Sequence, residues 1–292
     1  MSRVLADALV KLLQADDALV SSQFTRSQRE SLDDFARRTQ AIRLTTQGRG
    51  SLYRVVEREQ VMAHLASLRP DWREELPVTL PQRVLNVGRY RDSKRRSAGH
   101  AMQYLLFKAI GEGVCWHNGQ GLSLDLSVQT RLCGVAALAI QSGDGWRSEQ
   151  PLWLVENQGL FDAPDWLPAG AVGTLCYYSG QLSGVMLDWL AERPRVPRVI
   201  HFPDYDGVGL QNFARLYERL AASCELWLIP GWRELLATYG NKQVWLDGFA
   251  YYQDAVRRLS VQSVPAEVGE LLAAMQSEAL ALEQESVFLF GA

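Results

Sequence analysis

Three acidic residues follow two short apolar segments, and their types and spacing suit metal-ion chemistry. Glu156 comes directly after the apolar run 151–155, and Asp204 and Asp206 follow the apolar run 199–203. Such runs are typical of buried strands, whose carboxyl ends share the edge of an α/β sheet where ligands bind. Three carboxylates at one edge repel one another unless a cation joins them, and all-oxygen donors favour Mg²⁺ or Mn²⁺. The sequence therefore predicts a metal-dependent phosphodiester enzyme.

Two catalytic roles are open to these carboxylates. Glu156, Asp204 and Asp206 can hold one or two divalent ions that polarise a scissile phosphate, orient hydroxide and stabilise the leaving oxygen. Glu156 can instead act as a general base or acid, because neighbouring carboxylates raise its pKa. An Asp-x-Asp sequence at a strand end is also a common helix cap, and that interpretation stays open. The residues expected to orient ligands or receive a phosphate are Asn157, Ser179, Gly180, Gln181, Gly207 and Gly209.

Strands alternate with helices from residue 151 onward, and this order predicts a parallel sheet flanked by helices. Right-handed crossovers then place the ends of the strands along one edge, which brings Glu156 near Asp204. Glu278, Glu283 and Glu285 in the last helix are interpreted as a partner surface or a solvated face. The predicted strands are 151–155, 171–178, 197–203 and 224–229, and the predicted helices are 181–192, 210–222, 232–239, 249–259 and 266–285.

The first 76 residues combine helices with a two-stranded hairpin, an arrangement that resembles a winged helix. Arg43, Arg49 and Arg54 lie on or near the wing and are candidate contacts for DNA phosphates. A solvated hairpin in a protein-interaction module explains the same pattern equally well. Helices are predicted over 2–14, 26–40 and 58–67, and strands over 41–46 and 52–56 around the glycine turn 47–51.

A basic segment follows a proline-containing linker. It runs from residue 83 to residue 96 and carries a single acid, Asp92. This density of positive charge predicts contact with a nucleic-acid backbone, with a solvated helix start as the alternative. A helix is expected to continue from Met102 to Ile110, and mixed strands and helices are expected over 114–146. The candidate DNA-binding residues of the segment are Arg89, Arg91, Lys94, Arg95 and Arg96.

The N-terminal part of the chain is basic, and the remainder is acidic. Residues 1–100 hold 18 Lys and Arg against 12 Asp and Glu, whereas residues 101–292 hold 12 against 21. This asymmetry suits a polyanion-binding portion joined to a metal-binding one, although chance clustering explains it too. Together with the changes of pattern along the chain, it predicts three parts: a winged-helix-like domain over 1–76, a basic α+β segment over 77–146 and an α/β domain over 147–292.

The sequence lacks the marks of secretion and of membrane insertion. No apolar run reaches about 18 residues, and the first residues include an acid, Asp7, without a long apolar stretch. The four cysteines are scattered and form no C-x-x-C pair, which favours isolated thiols over a zinc site. We therefore expect a cytoplasmic protein with no membrane partner.

The acidic motifs resemble those of Toprim domains, with Glu156 after a first strand and Asp204-x-Asp206-x-x-Gly209 after a third. That fold occurs in type IA and type II topoisomerases, bacterial primases and old-family nucleases. The stretch Asp-Tyr-Asp-Gly-Val-Gly, with Glu156-Asn157 upstream, is most similar to the branch with the A subunit of topoisomerase VI. This branch includes the nuclease subunits (JetD, MksG) of Wadjet and related condensin-like anti-plasmid systems. Over about residues 150–240 the resemblance rests on these motifs. Elsewhere in the chain it rests on the expected arrangement of helices and strands.

The resemblance implies a Mg²⁺- or Mn²⁺-dependent DNA endonuclease, the plasmid-cleaving effector of an SMC-like ATPase defence complex. It also implies a homodimer that cuts both strands of double-stranded DNA. The sequence has no Walker A motif, so any ATP-driven step belongs to a partner. Two alternatives stay open. One is a topoisomerase VI-like transesterase using a tyrosine such as Tyr53 or Tyr90, and the other is a non-catalytic DNA-binding or assembly subunit with a vestigial Toprim site.

Overall fold

The computed structural model describes residues 2–47, 50–73, 76–77, 79–90 and 101–289. The chain divides into two units, Met1–Gly99 and His100–Ala292, and each has its own hydrophobic core. Residues 101–146 share the core of the residues that follow them, so no separate core marks the boundary predicted at residue 146.

Helices and a three-stranded antiparallel sheet make up the first unit. Its elements are α1 Ser2–Gln14, β1 Ala18–Val20, α2 Arg26–Thr39, β2 Ile42–Gln47, β3 Gly50–Val55, α3 Arg58–Leu68 and α4 Gln82–Tyr90. β3 pairs with β1 on one side and with β2 on the other. The first three predicted helices and the hairpin are confirmed to within about two residues. The sequence does not predict β1, because three residues are too few to show alternation. The likeness to a winged helix stays a prediction.

Tyr53 joins the sheet of the first unit to α2. Its ring is buried in the core beside Phe24, and its hydroxyl donates a hydrogen bond to Asp33 Oδ1 at 2.7 Å. Burial raises the pKa of this phenol, and the hydrogen bond to Asp33 raises it further. α2 begins with a capping box, in which Thr25 and Gln28 each accept a hydrogen bond from the other's backbone N–H. Tyr53 is therefore placed as a structural residue of this core.

The second unit is built on a six-stranded mixed sheet with a separate two-stranded ribbon. Its strands are β4 Met102–Ile110, β5 Cys115–His117, β6 Ser123–Asp125, β7 Ala136–Gln141, β8 Leu152–Val155, β9 Gly173–Tyr177, β10 Val199–Phe202 and β11 Cys224–Leu226. The sheet order is β11-β10-β8-β9-β4-β7, and β5 pairs with β6. The strands β8 to β11 are parallel, whereas β4 is antiparallel to both β9 and β7. The α/β class is confirmed, but the prediction of a parallel sheet holds for four strands of the six.

The segment Met102–Ile110 is a strand, and the prediction of a helix there is wrong. Its side chains alternate, with Leu105 and Phe107 buried and Tyr104 and Leu106 exposed. Hydrogen bonds to β7 and β9 engage both of its edges. A nine-residue run rich in apolar residues is compatible with the repeat of a helix and with that of a strand. Pairing with distant strands therefore decides its conformation.

The helices of the second unit lie between and after these strands. They are α5 Leu126–Cys133, α6 Gln158–Asp162, α7 Gly184–Glu192, α8 Gly207–Leu220, α9 Trp232–Tyr239, α10 Lys242–Leu259 and α11 Ala266–Glu278. The last predicted helix ends seven residues early, because Ala279 adopts a left-handed conformation and the chain then turns to pair with other segments. Across the described part of the chain, no helix combines the length and apolar character needed to cross a membrane.

The two strands that precede the acidic motifs are buried along their whole length. Every residue of β8 and β10 is buried, as expected for parallel strands covered on both faces. On one face, the rings of Trp153, Phe202 and Trp227 pack together with Trp166, with centroids 4.6–6.2 Å apart. This packing fixes the ends of both strands, where the acidic residues begin.

Candidate functional site

Glu156, Asp204 and Asp206 gather at the carboxyl edge of the parallel strands. β8 and β10 are neighbours in the sheet, with Val155 opposite Phe202. Glu156 follows β8 directly, and Asp204 lies two residues beyond β10. All three carboxylates are partly buried, and Glu156 interacts electrostatically with both aspartates. The structure thus brings together the three acidic residues that the sequence singles out.

Burial and mutual repulsion hold protons on this cluster. Burial raises the pKa of Glu156 to about 8, and the charges of Asp204 and Asp206 act in the same direction. Burial raises the pKa of Asp204 to about 7, and repulsion from Asp206, Glu285 and Glu283 adds to the shift. Burial also raises the pKa of Asp206. The cluster therefore resists full ionisation at neutral pH, and a bound cation would relieve that resistance.

The donor chemistry of the cluster fits a hard divalent cation. Within the described ranges, no Lys, Arg or His forms an ion pair with Glu156, Asp204 or Asp206. In the same ranges, no three His, Cys, Asp or Glu side chains form a group that could hold a metal ion. Mg²⁺ commonly uses one or two protein carboxylates and completes its octahedral shell with waters and substrate phosphates. A cluster of negative carboxylates that does not surround the ion on all sides is compatible with Mg²⁺ binding of this kind.

Asp206 is also the N-cap of α8. Its Oδ1 accepts a hydrogen bond from the backbone N–H of Gly209 at 2.7 Å. The helix-cap interpretation is therefore correct for this residue, and further lone pairs of the carboxylate can still accept a ligand. A Cβ atom at Gly209 would lie 2.1 Å from the backbone oxygen of Asp204, and one at Gly207 would lie 1.9 Å from that of Gly248. The two glycines thus permit a tight turn and the α8–α10 contact, while their approach to phosphate stays a prediction.

Gln284 connects the ends of the two acidic strands and is a residue that the sequence analysis misses. It is fully buried, and its backbone N–H donates to Asp204 Oδ1 at 2.8 Å. Its side-chain amide donates to the backbone oxygen of Phe202 and accepts from the backbone N–H of Asn157 at 3.0 Å. No local pattern identifies this role, since a helix over 266–285 would place Gln284 on a helix face.

The C-terminal segment 281–289 is held across the same edge of the sheet. Leu282 exchanges backbone hydrogen bonds with Tyr205, and Ala281 does so with Asn241. Asn157 caps α6 by accepting from the N–H of Gly159 at 2.8 Å, and its amide donates to Glu285. Asn157 therefore binds the C-terminal segment as well as its own helix, and its expected role of orienting metal ligands stays a prediction. Glu283 and Glu285 of this segment add negative charge beside Asp204.

The turn at 179–182 differs from the predicted start of a helix. Ser179 and Gly180 have positive φ angles of 55° and 74°, so the chain cannot continue helically there. α7 begins at Gly184 with Ser183 as its N-cap, and Gln181 is an exposed loop residue. The buried amide of Asn212 holds the turn by donating to the Gly180 oxygen and accepting from the N–H of Leu182. Phosphate contact by residues 179–181 stays a prediction and does not rest on a helix N-terminus.

Glu156 receives a hydrogen bond from a buried tyrosine. Tyr178 Oη donates to Glu156 Oε2 at 3.1 Å, and His201 Nε2 lies 3.0 Å from the same hydroxyl. His201 is completely buried in β10, and burial lowers its pKa to about 3, so the ring is neutral. No local pattern predicts the contact of Tyr178 with His201, because it depends on the pairing of strands far apart in sequence.

Two of the candidate DNA-binding arginines face each other on the hairpin of the first unit. Arg43 and Arg54 are directly opposite on β2 and β3, and both are exposed. Arg89 lies on α4, where it forms an ion pair with Asp71 at 3.4 Å. Arg49, Arg91, Lys94, Arg95 and Arg96 lie outside the described residues.

Comparison with protein-family models gives no match, and comparison with curated proteins gives no significant one. The site is therefore interpreted from its own residues and from the motif resemblance.

We expect Gln284→Met to lower the free energy of unfolding by about 2 kcal/mol, because the Phe202 carbonyl and the Asn157 N–H lose a buried partner. Urea denaturation of the full chain measures this change. Gln253→Met, an exposed position on α10, is the matched control and should change stability by less than about 0.5 kcal/mol. Equal losses in the two variants would contradict the connecting role of Gln284.

We expect the cluster to make the metal-free protein less stable as pH rises. Glu156 binds its proton more tightly in the folded chain, where its pKa is about 8, than at its ordinary value of 4.5. The folded state therefore binds more protons between these values, and its stability falls from about pH 4.5 toward pH 8. Glu156→Gln should be more stable than the wild type at pH 8 by at least about 1 kcal/mol, and this gain should shrink toward pH 5.

Chemical denaturation in the presence of a chelator at pH 5 and pH 8 measures this pH dependence. Glu278→Gln removes the same charge from an exposed position at the end of α11 and serves as the control. An equal gain in the control would mean that net charge, rather than repulsion within the cluster, is responsible.

Proposed function

We propose that the chain is a divalent-metal-dependent DNA endonuclease whose metal site lies at the cluster of Glu156, Asp204 and Asp206, with one or two of these carboxylates binding the ion directly. The observation that carries the proposal is the convergence of three partly buried carboxylates at one sheet edge. Their pKa values are raised by burial and, for Glu156 and Asp204, by the negative charge of neighbouring carboxylates. The described residues provide no basic partner for them. Such a cluster favours a bound cation, and phosphodiester hydrolysis is a reaction that hard divalent cations promote.

The aspartates and Glu156 differ in the parts that they would play in the proposed reaction. A bound Mg²⁺ or Mn²⁺ would polarise the scissile phosphate and lower the pKa of a water nucleophile. Gln284 orients Asp204 through its backbone N–H, and Gly209 does the same for Asp206. Glu156, with a pKa of about 8 in the absence of metal, can also exchange a proton near neutral pH and so act as a general base or acid.

The finer assignment rests on the motif resemblance to Toprim nucleases. We extend the proposal to the plasmid-cleaving subunit of an SMC-like ATPase complex that acts in the cytoplasm on double-stranded DNA. A homodimer would place two such sites on opposite strands of one duplex. The ATPase would be a separate subunit, since this sequence has no Walker A motif.

A tyrosine transesterase is a weaker candidate. Tyr53 is buried, donates its hydroxyl proton to Asp33 and has a raised pKa, all of which disfavour it as a nucleophile. Cleavage by such an enzyme would leave a covalent protein–DNA adduct, whereas metal-dependent hydrolysis leaves none. A vestigial site would neither cleave DNA nor bind a divalent cation.

We expect the wild type to nick or linearise supercoiled plasmid with Mn²⁺ or Mg²⁺ and without a covalent adduct. Asp204→Asn and Glu156→Gln should each lower the rate by at least about 100-fold, because each removes a charged ligand or base. Gel analysis of the products measures both effects. Asp247→Asn, an exposed aspartate on α10, is the matched control and should cleave at the wild-type rate.

Calorimetric titration with Mn²⁺ distinguishes a dormant nuclease from a dead site. Mn²⁺ binding by the wild type, lost in Asp204→Asn, would support a nuclease that needs its partner before it cleaves. The proposed function would be overturned if the wild type neither cleaved plasmid nor bound Mn²⁺.

We propose further that the hairpin of the first unit contacts the DNA backbone through Arg43 and Arg54. Like charges directly opposite on paired strands repel each other. In the described residues, no acidic side chain pairs with either arginine, in contrast to Arg37 and Arg38, which both pair with Asp34. A phosphate backbone would supply the missing negative charge.

We expect the double change Arg43→Ala with Arg54→Ala to weaken duplex DNA binding at all sequences and to reduce the salt dependence by about two counterions. Fluorescence anisotropy with labelled duplex at several salt concentrations measures both quantities. Arg37→Ala with Arg38→Ala removes the same charge from α2 and should have a smaller effect. An equal loss of DNA affinity in the two double variants would mean that net charge, rather than the hairpin, is responsible for binding.

A further inference from the structure

A chain of two buried side chains extends behind Glu156. Tyr178 directly follows β9, and its backbone N–H donates to the oxygen of Val155 at 3.1 Å. Its hydroxyl donates to Glu156 Oε2 at 3.1 Å and lies 3.0 Å from His201 Nε2. Both Tyr178 and His201 are buried, so neither is placed to touch a nucleic acid.

The direction of these hydrogen bonds follows from the donors available. When a bound cation keeps Glu156 ionised, its carboxylate can only accept, so the single hydroxyl proton of Tyr178 goes to Glu156. The Tyr178 oxygen then accepts from His201 Nε2–H, which leaves Nδ1 of the neutral ring without a proton. His201 Nδ1 is buried without a hydrogen-bond partner in the described structure. An unpaired buried acceptor is tolerated better than an unpaired N–H, so this tautomer is favoured.

Packing holds the two rings in place. The His201 ring stacks on Phe213 at an interplanar angle of 11°, and it lies 5.5 Å from the Tyr178 ring. Stacking on Phe213 does not by itself require an imidazole, because other aromatic rings stack as well. The unpaired Nδ1 atom costs stability, and the contribution of the imidazole is the hydrogen bond of Nε2 to Tyr178.

We propose that Tyr178 and His201 are positioning residues that hold the carboxylate of Glu156 in one orientation toward the divalent cation. This inference rests on the proposed function, because it assigns a metal-binding role to Glu156. Side chains that orient metal ligands through hydrogen bonds typically change metal affinity or activity by about 10–100-fold when removed. Tyr178 fixes Glu156 directly, and His201 acts through Tyr178.

The test compares Tyr178→Phe and His201→Phe with the wild-type chain by Mn²⁺ titration calorimetry and by urea denaturation in chelator. Both variants should bind Mn²⁺ at least about 10-fold more weakly. Urea denaturation of His201→Phe separates a loss of Mn²⁺ affinity from a general loss of stability, because this variant removes the unpaired nitrogen and the hydrogen bond to Tyr178 together. Tyr177→Phe, one residue earlier and packed on Phe161, is the matched control and should keep wild-type affinity.

A double variant shows whether the effect passes through Glu156. Tyr178→Phe should cause no further loss of Mn²⁺ affinity when Glu156 is already glutamine. The inference would be overturned if Tyr178→Phe and His201→Phe both bound Mn²⁺ as tightly as the wild type. It would also be overturned if His201→Phe lost as much free energy of unfolding as it lost free energy of Mn²⁺ binding. Failure of the wild type to bind Mn²⁺ would instead overturn the metal site and the proposed function itself.

Discussion

Repulsion among carboxylates held partly out of water is the constraint on which the edge of the second unit's sheet depends. Glu156, Asp204 and Asp206 lie where burial disfavours their charged forms, and the charge of Asp206 acts on both Glu156 and Asp204. Placing such groups together lowers the stability of the metal-free protein, so the surrounding structure must hold them there. A cation that binds only the folded arrangement would reverse that penalty and couple metal binding to folding.

Three features of the fold hold the cluster in place. The strands β8 and β10 are buried along their length, and the aromatic packing around Trp153 and Phe202 fixes their ends. Backbone N–H groups of Gln284 and Gly209 bind the two aspartates. Neutral donors of this kind stabilise a carboxylate without cancelling its charge.

The C-terminal segment makes the site depend on the whole second unit. Gln284 reaches the ends of both acidic strands, and its neighbours pair with Tyr205 and Asn241. The first unit has a different character, because its exposed Arg43 and Arg54 present positive charge on a hairpin. The proposed DNA cleavage would draw on both units, on the arginines of the first unit for phosphate contact and on the carboxylates of the second unit for the metal ion.

The sequence by itself determined the α/β class, most of the helices and the identity of the acidic cluster. Apolar runs of four to five residues followed by acids are local patterns, and the capping preference of Asp206 is local as well. Tertiary structure decided what depends on distant partners. Met102–Ile110 became a strand because β7 and β9 pair with both of its edges. Gln284 and the Tyr178–His201 pair reached the site through contacts 22 to 127 residues apart in sequence, which no local periodicity can encode.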